Sequence, residues 1–318
     1  MTRRAPLPVP LAGRPFTTRD GSAAGVSPGR MRARDLVTPT SGVRMPASAS
    51  FPDRCRAVLL VLPEDAFICG TSAALLHGIP LPWRLARSPL LEVGLPSPAR
   101  GVRRAGIRGR SLLVRDADVV DLRGIRVTTP ARTWCDLVGA LSVPELVAAG
   151  DPLLAAGAHL GAAIAELPDR RGSVKLGVAL ELLDAASESP KESETRAILT
   201  LAGLPRPRVN VPVFDGRRFV GRVDLLYEEY DEVLEYQGDH HRTDAAQWRH
   251  DRSREAQLES LGLHVTEVTQ SDLDEPAAFA RRVGRTLARK GWDGRVVLSR
   301  WFPSPPVART GSVGRRAS

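Results

Sequence analysis

The sequence predicts an α/β chain of the α+β kind, divided into two domains. Three observations lead there. At 318 residues the chain is long for one domain and sufficient for two, each able to bury a core. Helix-like and strand-like patterns interleave between Phe51 and Leu183, and a second succession of helix, strands, helix, strand and helix occupies residues 184–290. No internal repeat, Walker loop or dinucleotide fingerprint is visible, which argues against a nucleotide-driven enzyme.

Residues 1–50 mix Arg, Pro, Gly, Ser and Thr without sustained periodicity, and are expected to be a mostly disordered basic tail. One short extended piece, Arg34 to Pro46 with a turn at Ser41-Gly42, is the exception. Pro52 to Leu62 has a helical pattern, and Thr71 is expected to cap a helix ending at Gly78. Leu90 to Leu95, Ile107 to Val114 and Ile125 to Thr128 read as strands, and Pro130 opens a helix. Within these segments Ser72 is expected to cap, Arg132 and Asp136 to pair across one helical turn, and Trp134 to be core; His77 stands beside them. Ala155 to Ala186, rich in Ala and Leu and interrupted at Arg170-Arg171-Gly172, predicts one or two bridging helices.

The second domain opens with Ser189-Pro190 followed by acids, a strong helix start with serine as N-cap and proline at the first helical position, which sets Glu194 on a helix. Val223 to Tyr227 and Glu232 to Gln237 are strand-forming, and the short polar loop Glu228 to Asp231 joins them as a hairpin. If Tyr227 pairs with Glu232, Asp224 faces Glu235 at roughly 5 Å. Alternation then puts Asp224, Leu226, Val233, Glu235 and Gln237 on one side, and Val223, Leu225, Leu234 and Tyr236 on an apolar core side. Two carboxylates at one cross-strand position need a compensating cation, either an arginine or a hard ion such as Mg²⁺. The alternative is a surface salt-bridge pair. Beyond the hairpin, Thr243 is expected to cap a helix through Trp248 and Leu258 to Gly262, then a strand runs from Leu263 to Val268, and Ser271 caps a last helix.

The order of these elements, a helix glutamate, V-D, E-Y-Q-G-D-H-H-R, D-R-S-R and L-G-L-H-V, resembles the PD-(D/E)XK nuclease superfamily, and within it the very-short-patch-repair-like endonucleases. The resemblance covers about Glu188 to Lys290. It implies a restriction-endonuclease-like mixed sheet flanked by helices, with Mg²⁺ or Mn²⁺ on Asp224 and Glu235, Glu194 supporting the metal or its water, and Gln237 where many members have lysine. Hydrolysis of DNA phosphodiester bonds is the activity implied. His240 or His241 could shuttle a proton, contact DNA, or be solvated. Arg242 leaves the same strand end, and Arg249, Arg252 and Arg254 read as phosphate contacts or as partners for Asp251 and Glu255.

The run C-G-T-S-A-A-L-L-H-G-I-P-L-P, then L-E-V-G-L-P, then I-R-V-T-T-P-A-R-T-W-C-D-L resembles the abortive-infection type IV antitoxin family over about Arg34 to Gly150. This implies an antitoxin-like α+β domain at 51–183, a DNA-binding or regulatory scaffold, and a cognate toxin protein as partner. The winged helix-turn-helix that ordinarily precedes this region is absent or reduced to the piece around Asp35 to Met45. A non-catalytic DNA-binding regulator or antitoxin with a degenerate nuclease fold is therefore the alternative function.

Composition adds limits. The formal charge is +9, and almost all the cations are arginine, so the excess by itself is weak support for nucleic-acid binding. Arg103 and Arg104 lie in an acid-free basic run, and residues 291–318 form a second basic stretch, expected to be an unstructured tail from about Ser304; such stripes attract phosphate backbones or are simply solvated. Cys55, Cys69 and Cys135 are widely spaced and odd in number, indicating neither a disulfide framework nor a zinc site. Apolar runs are too short to span a bilayer, so no membrane association and a cytoplasmic location are expected.

Overall fold

The computed structural model describes residues 5–167, 171–238 and 254–303. The chain is an α+β protein that divides into two compact units, residues 1–141 with 152–181 and residues 142–151 with 182–318. The chain passes to the second unit at 181/182, beside the expected 183, while the segment Ser142–Asp151, inside α7 (Val143–Ala155) apart from Ser142, also belongs to the second unit.

In the first unit, the expected disorder of residues 1–50 is overturned from residue 5 onward. β1 (Phe16–Thr17), α1 (Thr18–Ala23), α2 (Pro28–Met31), β2 (Leu36–Val37) and β3 (Val43–Pro46) enclose a small core of Leu11, Phe16, Val26, Met31 and Leu36. The three strands form one sheet in the order β1-β3-β2. Sparse apolar residues hid this piece because its helices are too short to show a period. Capping holds them instead: Thr17 and Asp20 form a capping box at α1, and Ser27 caps α2 with Pro28 at its first position.

The rest of the unit is α3 (Phe51–Leu59), β4 (Phe67–Ile68), α4 (Gly70–His77), α5 (Trp83–Ala86), β5 (Leu91–Pro96), β6 (Ile107–Leu112), β7 (Val119–Asp121), β8 (Arg126–Thr128), α6 (Pro130–Asp136), α8 (Leu160–Ala165) and α9 (Ser173–Leu182). Its five-stranded sheet is mixed, in the order β6-β5-β4-β8-β7. Val58, Ile68, Leu91, Val93, Ile125 and Val127 form the centre of its core. Thr71 is not the N-cap of α4; Cys69 is, with no side-chain cap. Neither Thr71 nor Ser72 caps the helix: the Thr71 hydroxyl donates to buried Glu92 at 3.2 Å, and Ser72 Oγ accepts the Glu92 N–H at 2.9 Å.

The second unit carries α10 (Pro190–Leu201), β9 (Arg208–Asp215), β10 (Arg218–Tyr227), β11 (Glu232–Tyr236), the helix α11 with described residues 254–260, β12 (His264–Val268), α12 (Gln270–Asp274) and α13 (Pro276–Arg289). The sheet order is β12-β11-β10-β9, antiparallel except for the parallel β11–β12 pair. Ser189 caps α10 by accepting the Glu192 N–H, with Pro190 at the first position, as the sequence predicts. Thr269, in a capping box with Asp272, starts α12 in place of Ser271.

Both faces of this sheet are covered. On one, Leu225, Tyr227, Leu234 and Val268 pack with Ile198, Leu199, Phe279 and Val283 of α10 and α13; on the other, Val211, Val223, Leu226 and Val233 pack with Leu258. The expected apolar core side is therefore joined by a second one: the central strands are sandwiched between helices. Val223 also changes side. Val209 and Leu225 pack on the α10/α13 side but Val211 and Val223 on the other, so alternation lapses between them at Asn210, which takes a left-handed φ of 49°, and its neighbour across the ladder, Asp224. Residues 291–303 are no loose tail: Trp292, Val296 and Phe302 pack on the core, and the Val297 and Ser299 N–H groups donate to the Ala202 and Leu201 carbonyls. The tail from Ser304, like Thr243 and Trp248, lies outside the described residues.

Candidate functional site

The β10–β11 hairpin has the register the sequence predicts, with Tyr227 opposite Glu232, Leu226 opposite Val233 and Leu225 opposite Leu234. The paired register ends at Leu225–Leu234, one step short of Asp224 and Glu235, which lie within electrostatic reach of each other. There the ladder stops, and the Tyr236 N–H, which a backbone carbonyl would otherwise accept, is taken by Asp224 Oδ2 at 2.9 Å. The neighbouring Gln237 N–H turns the other way, to Val268 O at 2.8 Å. Asp224 is thus fixed by backbone at the point where the two strands part.

Glu235 is held from the opposite direction. Arg254 on α11 donates to Glu235 Oε2 at 2.5 Å and to Arg222 O at 3.2 Å. Gly221 makes this crossing possible, since a Cβ there would sit 3.0 Å from Arg254 Cδ. The second oxygen, Glu235 Oε1, is buried without a hydrogen-bond partner among the described residues. Such an orphan costs about 1–3 kcal/mol in a folded protein and calls for an explanation.

The electrostatics agree with a site short of positive charge. Burial pushes the Glu235 carboxyl up, the Arg254 guanidinium opposes this, and the Asp224 charge adds to the rise. Burial likewise raises Asp224; the Tyr236 N–H lowers it, the charge of Glu192 raises it, and Arg254 and Arg222 lower it. Two carboxyls sharing one arginine remain harder to ionise than in water.

Glu192, not Glu194, is the helix acid beside Asp224. Glu192 and Thr195 line a narrow cleft with Asp224 and Tyr236, while Glu194 pairs with Lys191 at 2.9 Å. The two glutamates are two residues apart on α10 and so point to nearly opposite sides. Glu192 Oε2 accepts the Glu188 N–H at 3.1 Å and Asn210 Nδ2 at 3.0 Å, which orients it. Thr195 Oγ1, in the same cleft, also lacks a partner. The sequence held a signal for this choice: 192, 195 and 199 are spaced as one helix face, and Leu199 is core.

Gln237 is exposed and its Nε2 lies 3.5 Å from Glu267, so it adds no charge to the pair. Arg254, expected on phosphate, is engaged with Glu235. His240, His241, Arg242, Arg249 and Arg252 lie outside the described residues. Among the described residues no three His, Cys, Asp or Glu side chains converge as a metal cluster. Mg²⁺ does not require one, because it commonly takes one or two carboxylates and completes its octahedron with waters and substrate phosphate oxygens. A buried Glu235 oxygen without a partner among the described residues, within electrostatic reach of the Asp224 carboxylate, fits that donor set.

The first unit's marked residues serve structure. Arg132 donates to Asp136 at 3.0 Å and to Asp118 at 2.8 Å, Trp134 is fully buried, and His77 Nε2 meets Thr128 O at 2.7 Å. Arg104 donates to Ser41 O, Arg108 and Arg110 face Glu92, and Arg103 is exposed. The three cysteines are buried free thiols, and burial pushes Cys55 and Cys135 up to about 12, which leaves them poor nucleophiles at neutral pH. No helix among the described residues is long and apolar enough to cross a membrane.

Comparison with known proteins finds two similar chains, both described as uncharacterized proteins of Mycobacterium tuberculosis, one from strain CDC 1551/Oshkosh and one from strain H37Rv. Each is 30% identical over 171 residues, which is 52% of this chain and 63% of the relative. The chain thus spans less than two thirds of the length of the curated relatives it matches. No family model and no solved structure matches.

Proposed function

We propose that the second unit is a metal-dependent DNA endonuclease of the kind its sequence resembles, with Asp224 and Glu235 as the metal-binding carboxylates. The observation that carries this reading is the buried, unpartnered Glu235 Oε1 beside Asp224. A divalent cation such as Mg²⁺ or Mn²⁺ supplies Lewis acidity and lowers the pKa of a coordinated water. The chain's own residues do the rest. Asp224 is oriented by the Tyr236 N–H, Glu235 by Arg254, and Glu192 stands behind Asp224 in place of the expected Glu194. In the hydrolysis, a water oxygen adds to phosphorus, its proton is released, and the leaving ester oxygen departs with a proton. The reading implies DNA as partner and a cytoplasmic setting.

A second reading has its own support. Arg254 already neutralises Glu235, and Gln237 stands where a lysine is common, which suits a degenerate nuclease fold in a DNA-binding regulator or antitoxin with a toxin partner. Incubation with plasmid, mismatched duplex and single-stranded DNA plus Mn²⁺ separates the two. The nuclease reading expects nicking or cleavage that disappears with Asp224→Ala and with Glu235→Ala. Salt-sensitive DNA binding that survives both substitutions, without cleavage under any metal, selects the second.

A further inference from the structure

β9 and β10 project as a hairpin whose tip carries no core residue. Its two-residue turn has Gly216 at φ 60° followed by Arg217, and Asp215 pairs with Arg218 across it. Directly behind the turn, Phe214 and Phe219 are cross-strand partners in edge-to-face contact, ring centroids 5.5 Å apart. They are 52% and 57% exposed, and neither belongs to the clusters on the two faces of the sheet. A register shift between Phe219 and Gly221 marks a β-bulge, a device that re-aims side chains. Arg217 and Arg218 flank the rings, both exposed and without an ion pair among the described residues. A groove of about 340 Å³ opens beside Phe214, lined by Val211, Val213, Leu226 and Leu263 together with Asp231 and the ion pair of Arg208 with Glu228 at 2.6 Å.

Two presented aromatic rings flanked by the guanidinium groups of Arg217 and Arg218 match one chemistry. Exposed bases stack on aromatic faces, and arginines hold the phosphates between them. Paired, stacked bases in a continuous duplex offer no such faces. We infer that the β9–β10 hairpin binds a DNA segment with unpaired bases, so that the substrate of the nuclease is DNA carrying a single-stranded stretch or bubble. The inference rests on the nuclease reading for its second part only. Phe219 and Asp224 lie on the same strand five residues apart, roughly 17 Å at about 3.3 Å per residue.

Binding is read with an oligonucleotide carrying 2-aminopurine in an unpaired tract, in EDTA, beside the same label within a full duplex. The expected result is stacking-induced quenching on the unpaired tract. Phe214→Ala/Phe219→Ala should weaken that binding about a hundredfold, roughly tenfold per ring, and leave duplex binding within about twofold. Phe214→Trp/Phe219→Trp should restore it, which rules out a folding defect. Arg217→Ala/Arg218→Ala should weaken both substrates and reduce the salt dependence. Equal affinity of wild type for both DNAs, or unpaired-tract binding unchanged in the double alanine variant, overturns the inference. Mapping the cut in a bubble substrate with Mn²⁺ is the separate arm. Cleavage indifferent to the bubble and to the double alanine variant sinks the hairpin's role while the nuclease stands. Quenching as expected with no metal-dependent cut sinks the nuclease while the hairpin stands.

Discussion

Replacing Asp224 by asparagine distinguishes a metal site from a structural ion pair. Asparagine keeps an oxygen for the Tyr236 N–H and removes only the charge. Burial raises both Asp224 and Glu235 above their ordinary values, so the folded state holds these protons more tightly than the unfolded chain. Stability from this pair is therefore greatest below the ordinary carboxylate range and falls as pH rises through the raised values. Without metal, the cost of two buried charges grows as pH rises through the raised values. Asp224→Asn relieves part of it and should be as stable as wild type or more so, by about 1 kcal/mol, the usual gain on relaxing a functional site. For a unit near 150 residues this is about 2–4 °C in Tm. Mg²⁺ at a hundred times its Kd adds about 2.7 kcal/mol to any native state that binds it and to none that does not. Wild type should thus gain about 5–10 °C on saturation, and Asp224→Asn close to nothing. Thermal unfolding by circular dichroism, in EDTA and along a Mg²⁺ titration from pH 4.5 to 8, reads both effects. A loss of more than about 2 kcal/mol in EDTA, or equal Mg²⁺ shifts in both proteins, would falsify the metal role and leave Asp224 as a partner for Arg254 and Arg222.

Arg254→Met leaves the Glu235 carboxylate buried without its cation and should cost about 1–3 kcal/mol in urea unfolding at pH 7.5, below the 3–5 kcal/mol of a fully buried pair because Arg254 is a quarter exposed. The loss should shrink as pH falls and Glu235, whose carboxyl burial raises, takes up its proton, and adding Glu235→Gln should restore most of it. Glu192→Gln should reduce Mn²⁺-dependent cleavage, whereas Glu194→Gln should leave it unchanged; the reverse order would return the helix acid to Glu194. Asp151→Ala should cost about 3–5 kcal/mol and loosen the second unit without touching the site, since it strands the fully buried Arg196 guanidinium, which Asp151 meets at 2.6 Å.

The central hairpin was legible because strand register depends on few variables: a short polar loop and two strand-forming runs sufficed to pair Tyr227 with Glu232. The cap at Ser189 and the turn-spaced pair Arg132–Asp136 were legible for the same reason, being local. What escaped was tertiary. That helices would cover both faces of the sheet, that Asn210 would twist alternation out of phase, and that Trp292 and Phe302 would anchor an arginine-rich tail depend on contacts between distant segments. The folding of residues 5–50 escaped on different grounds, because α2 has four residues and no window in which a period can appear.

The choice between Glu192 and Glu194 shows how a local reading and a tertiary one separate. Both acids sit in the first turns of a well-capped helix, where the dipole favours negative charge at either position. Only the phase of the helix against the sheet distinguishes them, and that phase is set by Ile198 and Leu199 entering the core. The same packing bears on the charge that Gln237 does not provide. Leu258 anchors α11 on the far face of the sheet, which brings Arg254 across Gly221 to Glu235. The guanidinium binds one Glu235 oxygen and leaves the other without a partner among the described residues, so under the proposed metal role an ion would take the second oxygen without displacing the arginine. If Glu235 holds the proposed ion on that second oxygen, the Arg254→Met variant should lose stability in EDTA yet regain most of it when Mg²⁺ is added.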